Sequence, residues 1–141
     1  MLVEMELNKI IIDEKRQDQI IVLKEKKGKR FLPIIIGFLE ANAIKMKVSG
    51  IVPPRPFTHD LLLNMVTGLG AHVERIVIDD VQDSTFHAKI FLLPKGARQQ
   101  SIVVDARPSD SIALAVRAKA PIFIEEDVLN TSELADQEGQ E

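Results

Sequence analysis

The run Ser101-Ile102-Val103-Val104-Asp105-Ala106-Arg107-Pro108-Ser109-Asp110-Ser111-Ile112-Ala113-Leu114-Ala115 changes character in its middle. Its first half is dense in β-branched residues and reads as a buried-type strand. Pro108 fits the first turn of a helix, where its missing N–H is no loss. Ile112, Val116, Ala113 and Ala115 then supply a packing face that ends near Lys119, before Ala120-Pro121. A strand that passes directly into a helix start gathers polar groups at one end of a sheet. Orphan backbone N–H groups and the positive end of the helix dipole make such a junction suited to anions.

Toward the N-terminus, Leu2 to Ile12 and Gln19 to Leu23 read as a hairpin across the polar segment from Asp13 to Asp18. A second polar turn, Lys24 to Lys29, leads to Phe31-Leu32-Pro33-Ile34-Ile35-Ile36, which suits a strand buried on both faces. From Phe38 the apolar period becomes helical, with Leu39, Ala43, Met46 and Ala41, Ile44, Val48 forming a stripe expected to face the sheet until Ser49-Gly50. Prolines 53, 54 and 56 make the following segment a stiff, non-helical connector. Thr58 is the expected N-cap of a second helix, with Asp60 in its first turn and a stop at Gly68-Leu69-Gly70. Ala71 to Ile78, Thr85 to Leu93 and Gln99 to Asp105 read as a second meander, with Asp79-Asp80 in a turn. Ile122-Phe123-Ile124 is a short closing strand. The expected fold is a single α+β domain with a mixed, largely antiparallel sheet of two three-strand meanders and about three main helices. It would span residues 1–130, with 131–141 a disordered acidic tail. Three strands and a helix occur twice, a weak suggestion of an internal repeat.

The chain has 141 residues, a common size for one domain. Without cysteine it has no disulfide or thiolate metal site, and its start carries neither a basic leader nor an apolar signal core. A soluble protein of a reducing, cytoplasmic compartment is expected, with no membrane span. The net charge of −3, the absence of Trp and Tyr and the presence of only 6 Phe argue against a high-affinity module that reads bases by stacking.

Two segments carry the candidate chemistry. At the strand-to-helix junction Asp105 can bind a metal or an incoming donor, and Arg107 can hold a phosphate. Equally, Ser109 or Asp110 can cap its own helix and Asp105 can pair with a base. In Arg55-Pro56-Phe57-Thr58-His59-Asp60 the imidazole of His59 suits a general base or a metal ligand, although a lone His at a helix start is commonly a surface or capping residue. Glu40, Asp79, Asp80, Glu125 and Glu126 are further oxygen ligands for a hard cation. No zinc spacing, phosphate-binding glycine loop, dinucleotide fingerprint or nucleophile elbow is present.

Together, Leu32-Pro33-Ile34-Ile35-Ile36-Gly37 with Glu40, Arg55-Pro56 with Thr58-His59-Asp60-Leu61, and Asp105 to Ala115 with Pro121-Ile122 resemble the bifunctional nuclease domain family over residues 1–130. The resemblance implies an α+β domain, often oligomeric, with members that degrade DNA and RNA. The motif positions it carries over are Glu40, Arg55, Thr58, His59, Asp60, Asp105, Arg107, Ser109 and Asp110, and Ser111 stands where many members have Ala. The expected function is therefore a nuclease assisted by Mg²⁺ or Mn²⁺. Asp105, Asp110, His59 and Asp60 would be catalytic, and Arg107, Ser109, Arg55 and Thr58 would bind substrate. Asp105 and Glu40 would hold the metal. The alternatives are a non-catalytic oligomeric module that binds an anion or a partner, and a purely structural role for the polar motifs.

Overall fold

The structure, a computed structural model, describes residues 1–96 and 100–139, the side chains of 133–139 excepted. Strands β1 (Leu2–Ile11), β2 (Asp18–Glu25) and β3 (Phe31–Gly37) form the first meander. Strands β4 (Ala71–Gln82), β5 (Thr85–Pro94) and β6 (Ile102–Ala106) form the second. Strand β7 (Ile122–Glu125) lies between β1 and β4 and joins the meanders into one sheet of order β3-β2-β1-β7-β4-β5-β6. Among the described residues only the β4–β7 pairing is parallel.

Side-chain alternation buries Leu32, Ile34 and Ile36 of β3, Ile76 and Ile78 of β4, and Ile122 and Ile124 of β7 in the core. A fully buried Ile or Leu contributes about 1.5–3 kcal/mol relative to exposure. Helices α1 (Phe38–Val48), α2 (Thr58–Gly68), α3 (Pro108–Ala118) and α4 (Glu126–Gly139) complete the domain. Helix α3 is the hub, packed against α1, α2, β4 and β5. Its Ser111, Ala113 and Ala115 are fully buried, and their small side chains let neighbours approach closely. Val128 and Leu129 anchor α4 in the core. Helical backbone continues through the segment read as a tail as far as Gly139, and residues 140–141 lie outside the described residues.

Several expectations are corrected. Strand β3 is buried on one face only, with Ile35 70% exposed, because alternation turns Ile35 to the face of the sheet away from the core, and its place at the sheet edge is where Pro33 is tolerated. Strand β6 is the opposite edge, and Ile102, Val103 and Val104 are all exposed. On α1 only Ala41, Ala43 and Ile44 are buried, while Leu39 and Val48 face outward. Asp79 and Asp80 belong to β4, which continues through a bulge to Gln82. The turn is Asp83-Ser84, both with positive φ, as a tight hairpin requires. The N-cap of α2 is Phe57, not Thr58.

Candidate functional site

Arg107 leaves β6 in an extended conformation and is the N-cap residue of α3, with Pro108 at its first position. No side chain caps this helix. Asp110, in the first turn, instead reaches across to α2, where its Oδ1 lies 3.0 Å from His59 Nε2. Its Oδ2 accepts from Arg107 Nε at 3.1 Å and Nη2 at 2.9 Å. The same Nη2 donates to Glu40 Oε1 at 3.2 Å. The guanidinium is thus held between carboxylates of α1 and α3, and Asp110 first, then Glu40, raises its pKa further. Gly37 makes room for this arrangement, because a Cβ there would collide with the Glu40 carboxylate.

His59 is one position into α2 from Thr58 and is the buried residue of that helix. Thr58, His59, Glu40, Arg107 and Asp110 line one cleft of about 710 Å³. Its apolar walls come from Leu39, Phe57, Leu62, Val66, Val104 and Leu114. The strand-to-helix junction and the Thr58-His59 helix start, 46 residues or more apart in sequence, therefore share one site.

Three other candidates lie elsewhere, and a fourth, Asp105, reaches only the rim of this cleft. Asp60 Oδ2 accepts from the Phe57 N–H at 3.0 Å, and its Oδ1 accepts from Arg117 Nε at 2.7 Å. The Phe57 N–H foremost, then Arg117, holds its carboxyl below the usual aspartate range. Arg117 is buried and also donates to Ala113 O at 2.9 Å and Ala43 O at 3.1 Å, so it ties the three helices together. Asp60 lines a separate cleft of about 320 Å³ beside the proline-rich connector. Arg55 is exposed on that connector. Ser109 is buried and lines a third cleft. Asp105 pairs in register with Lys89, whose neighbours Ala88 and Ile90 point into the core. Its side chain therefore projects from the face of the sheet away from the helices. There its Oδ1 accepts from Lys89 Nζ at 3.1 Å, a bond that is the chief cause of the raised Lys89 pKa. Asp105 forms part of the rim of the main cleft, but its carboxylate does not join the His59–Asp110 pair.

This donor set does not form a cation cage. Glu40 and Asp110 share Arg107, Asp105 is paired with Lys89, and no group of three His, Cys, Asp or Glu side chains suited to a metal occurs among the described residues. A divalent ion at Glu40 and Asp110 would have to displace the guanidinium. Arg117 and Lys89 had no distinguishing signal in the sequence, and Gly37 entered only as the end of the motif Leu32 to Gly37. A basic residue in the last turn of a helix is ordinarily a partner for the dipole, and nothing local marks Arg117 as the partner of Asp60.

Comparison with known proteins identifies the family of the chain. The family described as the bifunctional nuclease domain matches residues 21–137. An uncharacterised protein of Mycobacterium tuberculosis is 40% identical over 120 residues, 85% of this chain and 70% of that protein. Bifunctional nuclease 2 of Oryza sativa subsp. japonica is 30% identical over 114 residues, 80% of this chain and 35% of that protein. Bifunctional nuclease 1 of Arabidopsis thaliana is 30% identical over 105 residues, 74% of this chain and 32% of that protein. The chain thus spans about a third of the length of these plant relatives.

Proposed function

The chain belongs to the bifunctional nuclease domain family, and from that premise we propose that it hydrolyses phosphodiester bonds of DNA or RNA in the cleft between α1, α2 and the β6–α3 junction. The observation that carries this reading is the His59–Asp110 pair, 3.0 Å apart and beside Arg107 in a cleft of nucleotide size. A carboxylate held by Arg107 can only accept, so Nε2 of His59 carries the proton and Nδ1 is left as the basic nitrogen. His59 takes a proton from the water as its oxygen bonds to phosphorus, Asp110 fixes the ring and stabilises the imidazolium that forms, and the imidazolium returns the proton to the leaving sugar oxygen as its P–O bond breaks. Arg107, with its side chain 70% exposed, turns from Glu40 to the phosphate, where it and the free N–H groups of α3 stabilise the added negative charge.

The test is incubation of purified protein with labelled single-stranded DNA, duplex DNA and RNA in Mg²⁺, Mn²⁺ or EDTA, beside a folded His59→Gln preparation. Cleavage that disappears in the variant supports the reading, and cleavage equal in both preparations overturns it. The EDTA arm tests the expected metal assistance separately, since these side chains do not by themselves make a cation site.

A homo-oligomer belongs to the same proposal. Its support is β6, an edge strand that presents three apolar side chains and lacks the Lys, Pro or bulge that usually blunts an edge. A cytoplasmic location is part of the same proposal, supported by the cysteine-free composition, and is tested by localising the tagged protein. Among the described residues no helix is long and apolar enough to cross a membrane.

A further inference from the structure

The cleft that holds the His59–Asp110 pair changes character away from that pair. On α1 the lining residues Leu39, Ala43 and Met46 recur at helical spacing and form one stripe, with Glu40 on one flank and Asn42 on the other. At 3.6 residues per turn those two side chains leave the helix about 160° apart. A helix face roughly 10 Å across therefore separates the carboxylate that holds Arg107 from the amide of Asn42. That is the reach from the phosphate of a nucleotide to the edge of its base.

The other walls of this part are Leu62 and Val66 of α2, Ile90 and Leu92 of β5, and Val104 of β6. Leu39, Leu62 and Val104 are 78%, 40% and 40% exposed, so an apolar slot stands open beside the groups assigned to the scissile phosphate. Asn42 interrupts this apolar lining. Its Nδ2 donates to Met46 Sδ at 3.9 Å, and a thioether is a weak acceptor. Its Oδ1 has no protein partner among the described residues, and the side chain is exposed. The amide thus offers a donor beside an acceptor. Every nucleobase carries the complementary pair on its Watson–Crick edge.

Resting on the nuclease reading above, we infer that this slot receives one unstacked nucleobase whose edge is held by Asn42, which makes unpaired nucleic acid the substrate class. A base within a duplex has its faces covered by its neighbours and its edge taken by its complement, and freeing it is costly. The phosphate contact at Arg107 is common to both forms of substrate, whereas the base contact is open only to the unpaired one. An amide can turn to either order of donor and acceptor, so the slot selects an unpaired base and not a particular base.

The experiment titrates the ¹⁵N-labelled full chain in EDTA with inorganic phosphate, ribose 5-phosphate and adenosine 5′-monophosphate, reading Asn42 through its side-chain NH₂ signals. All three probes should shift the His59 amide. The nucleotide alone should shift the Asn42 signals and the Leu62 amide, and it should bind about ten-fold more tightly than ribose 5-phosphate. Asn42→Ala should remove about five-fold of that advantage, the worth of one net hydrogen bond, and thermal melting verifies that the variant is folded. In the cleavage assay a labelled RNA hairpin should be cut in its loop and not in its stem. Equal affinity for the nucleotide and ribose 5-phosphate, unmoved Asn42 signals, or a stem cut as fast as the loop overturns the inference and leaves the nuclease reading standing. No shift at His59 with any probe, together with no cleavage of any substrate, overturns both.

Discussion

Asp110 serves two neighbours at once, one oxygen on His59 and the other on Arg107. Replacing it with Asn permits the amide nitrogen to face the ring and selects the wrong imidazole tautomer. Asp110→Asn should therefore lower kcat by about 10²–10⁴-fold while leaving the thermal midpoint nearly unchanged, read by steady-state cleavage and melting. Asp60 behaves differently, since it holds the buried Arg117. Its carboxyl titrates below the usual range, so the unfolded chain binds that proton more readily than the folded one. The contribution is complete above the ordinary aspartate value and is lost as pH falls through the lowered one. Asp60→Asn should lower stability at neutral pH by about 1–3 kcal/mol and flatten the acid limb of a melting-versus-pH series. The residue types of the site were legible in the sequence, and four of them, Glu40, His59, Arg107 and Asp110, meet. What was not legible is direction. Asp105 sits in the same motif, yet strand alternation turns its carboxylate to Lys89, and only the register with β5 reveals this.

Helix ends were largely readable because they are made by residues with special backbone demands. Gly50 and Gly70, with φ of 76° and 78°, follow the ends of α1 and α2 as the left-handed closing position requires. Helix α3 closes instead on Lys119, which takes φ 55° at the expense of its Cβ. Lys119→Gly should raise unfolding stability by about 1 kcal/mol in denaturant titration. The strands misled in one respect. Ile34-Ile35-Ile36 and Ile102-Val103-Val104 have the composition of strands covered on both faces, but both belong to edges with exposed apolar side chains. Composition records apolar character and not what covers it.

At the scale of the whole molecule, both meanders were visible in the alternation and turns, whereas the insertion of β7 between β1 and β4 was not. That pairing joins segments about 120 residues apart in one case and about 46 in the other, and no local pattern encodes it. It brings the junction at Arg107 beside α1 and α2 and so creates the site. The bare β6 edge predicts self-association. Sedimentation should show a discrete oligomer, and Val103→Lys should shift it toward monomer, whereas a monomeric wild type would refute edge pairing.

The most direct measurement compares cleavage of one labelled RNA by three folded proteins, wild type, His59→Gln and Asp105→Asn, prepared identically and assayed with Mg²⁺, Mn²⁺ and EDTA. A rate lost in His59→Gln and kept in Asp105→Asn is expected, since only His59 faces the cleft with Asp110 and Arg107. Loss in Asp105→Asn with an undiminished rate in His59→Gln would contradict the assignment and move the chemistry to the far face of the sheet.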